Sequence, residues 1–198
     1  MPHTDHRYFI LNKPYKMVSQ FISPHKVVLL SDLDFDFPES THAIGRLDNN
    51  SEGLLILTTN KKVTSLLFQG NTPHKRVYLV QVKNKISEEK LNRLQTGIPI
   101  RIKGGQHYIT PACEVIPVEN AELVYKYQDD FIQRSPNSWL LITLMEGKYH
   151  QVRKMVAAIG HRCLRLIRIR IEDLELGNLP PGAVRELEEE QIFKLLNI

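Results

Sequence analysis

With 198 residues, 42% of them hydrophobic and 24% charged, the chain has the make-up of a folded globular protein with one sizeable core, which excludes a disordered one. Lys and Arg outnumber Asp and Glu by 26 to 22, and the resulting +4 permits an anionic partner without demanding one. The two cysteines, Cys113 and Cys163, fall outside any CxxC spacing, which argues against a disulfide scaffold or a structural zinc site. No apolar run of about 18 residues and no secretory leader is present, so a cytoplasmic protein without membrane attachment is expected.

Apolar patterning predicts a first strand over residues 8–11, closed by Asn12-Lys13-Pro14, where the proline biases the preceding residue away from helix. Residues 15–40 read as loop with one short element. Strands are expected over 42–46 and 54–58, around a turn at Asp48-Asn49-Asn50-Ser51. Asn60 can cap a short helix whose apolar positions are Val63, Leu66 and Leu67. A strand follows over 76–82, then a helix capped by Ser87, running through Leu91 and Leu94 to a stop at Gly97. Further strands are expected over 98–102, 109–116, 123–127 and 139–145. Between Gly147 and Gly160, Val152, Met155, Val156 and Ile159 fall at helical spacing, with Gly160 as the stop. A strand over 163–171, a turn-rich connector over 177–182 and a helix over 188–196 complete the chain. The succession of strands favours a largely antiparallel sheet with flanking helices, an α+β fold.

The charge is unevenly placed. Residues 147–171 hold Lys148, Arg153, Lys154, Arg162, Arg165, Arg168 and Arg170 with no acid among them, the footprint of a nucleic-acid surface or of a solvated enzyme face. The acidic run Asp32, Asp34, Asp36 and Glu39 lacks the glycine and terminal glutamate of a calcium loop. His150, His161 and Cys163 lack paired metal-ligand spacing, so no metal site is expected.

Asp48 stands where an apolar strand turns into a polar loop, the kind of place where chemistry sits on a rigid scaffold, although an Asx-turn would use the same residue type. Tyr78 on a strand suits either cross-strand packing or stacking on an extruded base. At 100° per residue, Arg153 lies about 110° and Lys154 about 150° from the centre of the apolar stripe, so Arg153 can reach inward while Lys154 points to solvent. Leu166 reads as a core residue, and a lysine before proline, as Lys13 is, is ordinarily solvated.

The segment Gly45-Arg46-Leu47-Asp48-Asn49-Asn50-Ser51-Glu52-Gly53-Leu54-Leu55-Ile56-Leu57-Thr58 closely resembles the active-site motif of the RsuA-type ribosomal RNA pseudouridine synthases. The resemblance extends to Leu11-Asn12-Lys13-Pro14, to Lys75-Arg76-Val77-Tyr78-Leu79-Val80, to Glu146-Gly147-Lys148-Tyr149-His150-Gln151-Val152-Arg153-Lys154-Met155, and to Leu164-Arg165-Leu166-Ile167-Arg168. It implies a pseudouridine synthase fold with a central, mostly antiparallel sheet in two subdomains and an active-site cleft. Asp48 would be the catalytic carboxylate, Tyr78 the aromatic residue against the target base, and Arg153 the partner that keeps Asp48 ionised. Arg46 would sit near the flipped nucleotide and Leu166 on the floor of the base pocket, with Lys13, Lys75, Lys154 and Arg162 as further substrate contacts.

Lys148-Tyr149-His150, and Lys154 in place of a second arginine, depart from the more arginine-rich pattern of relatives, which bears on phosphate contacts more than on chemistry. Many relatives carry an amino-terminal RNA-binding module of about 60 residues. Here the Lys13-Pro14 motif begins almost at once, so a single catalytic domain over 1–198 is expected, resembling most the large-subunit pseudouridine synthase E branch, which lacks that module. The implied reaction is isomerisation of uridine to pseudouridine in ribosomal RNA, in particular 23S, by a cofactor-free monomer acting on ribosomal RNA or an assembly intermediate. A non-catalytic ribosomal RNA-binding or assembly protein is the alternative; it would explain the basic segment without needing Asp48, Tyr78 and Arg153 together.

Overall fold

The computed structural model describes residues 6–68, 72–127 and 136–198. In chain order the strands and helices are β1 (Tyr8–Lys13), β2 (His42–Ile44), β3 (Glu52–Thr58), α1 (Lys62–Phe68), β4 (Arg76–Lys83), α2 (Glu88–Thr96), β5 (Pro99–Arg101), β6 (His107–Ile109), β7 (Glu114–Val118), β8 (Asn137–Leu144), α3 (Gln151–Ala158), β9 (Cys163–Ile171), β10 (Leu174–Glu175), β11 (Val184–Leu187) and α4 (Glu189–Leu196). The class is α+β, with largely antiparallel strands and flanking helices. Two compact units divide the chain: Met1–His74 with Arg168–Ile198, and Lys75–Ile167. Among the described residues no helix is long and apolar enough to cross a membrane.

In the first unit β1 lies between β11 and β3, antiparallel to both, and β2 pairs with β3. Every residue of β1 and of β3 is buried, the polar Asn12, Lys13, Glu52 and Thr58 at the strand ends as well as the apolar stretches Phe9–Leu11 and Leu54–Leu57. Phe9, Leu11, Leu55 and Leu57 build a core with Met17, Leu30 and Leu47. The long connection between β1 and β2 carries a single short helical turn, Leu30–Asp32, as expected, yet it is also core. Phe37 packs edge-on against Phe9 and Phe21, at ring-centroid distances of 5.7 and 5.3 Å, and Phe35 packs on Phe9 at 5.5 Å. The aromatic residues of an irregular segment thus close one face of the β1–β3 pair. Asn60 caps α1 as expected, its Oδ1 accepting from the Lys62 N–H. Val63 and Leu67 are buried, whereas Leu66 is exposed.

In the second unit β8 lies between β4 and β7, antiparallel to each, and β5 pairs with β6. Val80 and Val82 of β4 join Leu140, Ile142 and Leu144 of β8, Leu94 of α2 and the expected stripe of α3, Val152, Met155, Val156 and Ile159. Ser87 caps α2 by accepting from the Lys90 N–H, and Gly97 closes it with φ +105°.

Two expectations fail here. The strand over 109–116 is two strands, β6 and β7, interrupted where Thr110 ties itself to Ile98 through its N–H and its hydroxyl, and where Pro111 has no N–H to donate. The strand over 123–127 is absent: Asn120 Oδ1 accepts from the Glu122 N–H and starts a helical turn over Ala121–Leu123, which leaves Leu123 85% exposed. The two-residue β10 and the four-residue β11 were not anticipated.

If the β1–β2 connection is core in energetic terms, Leu30→Ala is expected to cost about 2–5 kcal/mol in denaturant unfolding, because Leu30 is fully buried; a loss below about 1 kcal/mol would show the segment to be detachable loop.

Candidate active site

Asp48 stands four residues beyond the end of β2 and four before the start of β3, in a segment outside both strands. The chain leaves β2 through Gly45, whose φ of +59° is left-handed, a conformation that spares glycine the cost borne by other residues. This breaks the β-like path that would have put Arg46 and Asp48 on one face: Arg46 is exposed and Asp48 half-buried. After Asp48 the expected turn forms, the Ser51 N–H donating to the Asp48 carbonyl at 3.0 Å.

Beneath this segment lies buried charge. Lys13 is 0% exposed, and its ammonium donates to the carbonyl oxygens of Pro14 at 2.8 Å and Met17 at 2.6 Å. Lys13 therefore offers no surface to a phosphate, contrary to the expectation of a substrate contact. Burial lowers its pKa to about 8, against the pull of the nearby Glu52 and Asp48 carboxylates, while Arg168 adds to the lowering. Arg168 is likewise buried. Its Nε donates to the Leu54 carbonyl and its Nη2 to the Gly45 carbonyl, both at 2.8 Å. The first unit thus gathers Lys13, Asp48, Glu52 and Arg168 into one electrostatic group.

The second unit presents the other expected residues. Tyr78, half-buried on β4, packs against the core cluster to which Leu166 of β9 belongs. Leu166 is buried, and Lys75, just before β4, is exposed. Arg153 is half-buried on α3, and its charge is felt by the Cys163 thiol, which burial nonetheless raises to about 11. Lys154 does not stand free in solvent as expected: it is half-buried, its ammonium 5.0 Å from the centre of the Tyr149 ring. A polar chain fixes the start of α3. The Tyr108 hydroxyl donates to Glu146, which accepts from Gln151 Nε2 at 2.7 Å, and Gln151 Oε1 accepts from the Lys148 N–H at 2.8 Å. Glu146 in turn pushes the Tyr108 pKa up to about 12, so this hydroxyl remains a donor.

The basic segment is only partly a surface. Arg165 is buried, donating to the Tyr127 carbonyl at 3.0 Å, Arg168 is buried as described, and half-buried Arg170 lies 3.8 Å from Glu175. Lys148 and Arg162 are exposed, while Lys154 is half-buried.

The lowered pKa of Lys13 has a measurable sign. Below about pH 8 folding must bury the ammonium; above it the folded state sheds a proton that the unfolded chain keeps to about pH 10.5, so Lys13 adds stability as pH rises through that window. Cys163, raised from 9.0 to about 11, acts oppositely above pH 9. Stability is therefore expected to rise from pH 8 to 9, and Lys13→Met is expected to abolish the rise; an unchanged slope in the variant would assign it to another group.

Known proteins resemble this chain in sequence and in fold. Residues 7–158 match the family described as RNA pseudouridylate synthase. An uncharacterized RNA pseudouridine synthase of Aquifex aeolicus is 34% identical over 190 residues, covering 96% of this chain and 69% of that protein. The ribosomal large subunit pseudouridine synthase E of Vibrio parahaemolyticus is 35% identical over 181 residues, covering 90% and 73%. A solved structure described as a pseudouridylate synthase superposes with a TM-score of 0.74 at 28% identity, covering 96% of this chain and 74% of the other. With the match spanning most of the chain and the fold shared, this protein belongs to the RNA pseudouridylate synthase family.

Proposed function

We propose that the protein isomerises uridine to pseudouridine in ribosomal RNA, in particular the 23S RNA of the large subunit, as a single catalytic domain working in the cytoplasm. The observation that carries the reading is the placement of Asp48, a half-buried carboxylate on a loop held by buried Arg168 and close to the buried ammonium of Lys13, within a chain of this family. Likeness to a large-subunit synthase supports the choice of RNA. The target uridine leaves its stack, and Tyr78 and Leu166 surround the base. Asp48 acts on the sugar or base while the C1′–N1 glycosidic bond breaks, the uracil rotates, and a C1′–C5 bond forms, the proton lost from C5 being balanced by one gained at N1. Arg153 is the charge partner that the family resemblance implies for Asp48, and Arg46 lies beside the flipped nucleotide. Lys75, Lys154 and Arg162 supply contacts to the RNA. No added cofactor is required by this chemistry.

Asp48→Asn keeps the size of the side chain and removes its charge. Conversion of unmodified 23S RNA is expected to fall about 100-fold or more while affinity stays within about threefold. Conversion near the wild-type rate, with contaminating enzyme excluded, would leave RNA binding without catalysis as the better reading.

The two neighbours on α3 separate chemistry from positioning. Arg153→Ala is expected to lower the single-turnover rate at saturating RNA far more than Lys154→Ala. Lys154→Ala and Arg162→Ala are expected to weaken binding and to flatten its salt dependence by up to about 0.7–0.9 log units per phosphate contact. Unchanged affinity and slope in both lysine and arginine variants would move the RNA footprint away from α3 and β9, toward Lys75 and the exposed Lys61 and Lys62 at the start of α1.

A further inference from the structure

Residues 45–48 lie beyond the end of β2, yet their backbone is held at three points by two buried side chains. The Ser19 hydroxyl donates to the Leu47 carbonyl at 2.8 Å and accepts from the Leu47 N–H at 3.1 Å. Arg168 takes the Gly45 carbonyl with Nη2 while its Nε takes the Leu54 carbonyl on β3. Ser19 and Arg168 are 5% and 3% exposed, so water does not compete for these bonds. The serine is itself anchored. The Val18 N–H donates to the Val28 carbonyl, the Leu30 N–H donates to the Gln20 carbonyl, both at 2.9 Å, and Lys13 holds the Met17 carbonyl.

The geometry points to Ser19 and Arg168 as positioning residues for Asp48, an assignment that rests on Asp48 being the catalytic carboxylate. A hydroxyl is the smallest side-chain group that both donates and accepts, which lets one atom satisfy both polar groups of Leu47, the residue before Asp48. Alanine would leave both buried and unpaired, and the peptide leading to Asp48 free to rotate. The guanidinium fork of Arg168 spans two carbonyls, Gly45 before the carboxylate and Leu54 after it, so the two ends of the Asp48 segment are tied to one rigid group. A lysine ammonium keeps the charge and loses the fork. Neither residue needs to meet the RNA: the consequence of loosening them falls on where the carboxylate stands, and displacement of a reacting group by about 1 Å can cost about a hundredfold in rate.

The test compares Ser19→Ala, Arg168→Lys and Asp48→Asn with the wild type on unmodified 23S RNA transcribed in vitro, well below each variant's melting temperature. Single-turnover rate at saturating RNA, dissociation constant and hydrogen exchange of the Leu47 amide are the three readouts. Ser19→Ala is expected to speed exchange at Leu47, to lower the rate at least about tenfold and to leave affinity within about twofold; Arg168→Lys is expected to show the same split between rate and affinity. A role in stability alone would lower the melting temperature and leave the rate per folded molecule unchanged. If Asp48→Asn is inactive while Ser19→Ala exchanges faster at Leu47 yet turns over at the wild-type rate, the positioning role is overturned and the catalytic reading stands. Unchanged exchange at Leu47 in Ser19→Ala overturns it too. If Asp48→Asn itself turns over normally, the catalytic reading fails first. Should Ser19→Ala not fold, Arg168→Lys decides alone, and a wild-type rate there overturns the proposal.

Discussion

A carboxylate can act at a fixed point only if the backbone carrying it is fixed, and Asp48 stands on a segment that no strand ladder holds. What holds that segment is a small set of buried polar groups ending on backbone atoms: Ser19 on Leu47 and Arg168 on Gly45 and Leu54, with Lys13 holding Met17, two residues before Ser19. Burying two cations is costly, and each is offset by two carbonyl oxygens, with the field of nearby carboxylates added at Lys13. Those carboxylates are Glu52 and Asp48 itself, so the cation that holds the Met17 carbonyl lies in the field of the group whose segment Ser19 fastens. The core beneath serves the same end. The all-buried pair β1 and β3 provides a rigid floor, and the Phe9–Phe21–Phe35–Phe37 cluster fastens to it the irregular chain that delivers Ser19.

Much of this is legible in the sequence because it rests on local patterning. The stripe of α3, the caps Asn60 and Ser87, the stop at Gly97, the strand Cys163–Ile171 and the turn after Asp48 are set by residues within a few positions of one another. The motif around Asp48 is also contiguous, so its residues alone point to a carboxylate on a loop. Failures come where a long-range partner or a local competitor decides. Asn120 diverts residues 123–127 from strand by capping a turn over Ala121–Leu123, and Pro111 divides a run whose apolar content suggests one strand.

The bracing residues are not legible for the same reason. Ser19 meets Leu47 across 28 residues and Arg168 meets Gly45 across 123, and nothing in either neighbourhood marks a partner so distant. Charge counting misleads in a related way. A run of seven basic residues without an acid suggests a surface, but β9 turns Arg165 and Arg168 inward, where they satisfy carbonyl oxygens. Lys13 shows the converse: a lysine before proline suggests solvent, and the fold buries it completely because two carbonyls stand ready to receive its ammonium. Burial therefore separates Lys13, Arg165 and Arg168, which hold backbone carbonyls, from exposed Lys148 and Arg162, a division that composition does not reveal.

The central claim is that this chain, through Asp48, converts uridine in ribosomal RNA. Its most direct test is a pseudouridine map of ribosomal RNA from cells that lack the protein, complemented with the wild-type chain or with Asp48→Asn. The expected result is loss of pseudouridine at a 23S position in the deletion, recovered with the wild type and not with the variant. A map identical in all strains, or one recovered equally by Asp48→Asn, would contradict it.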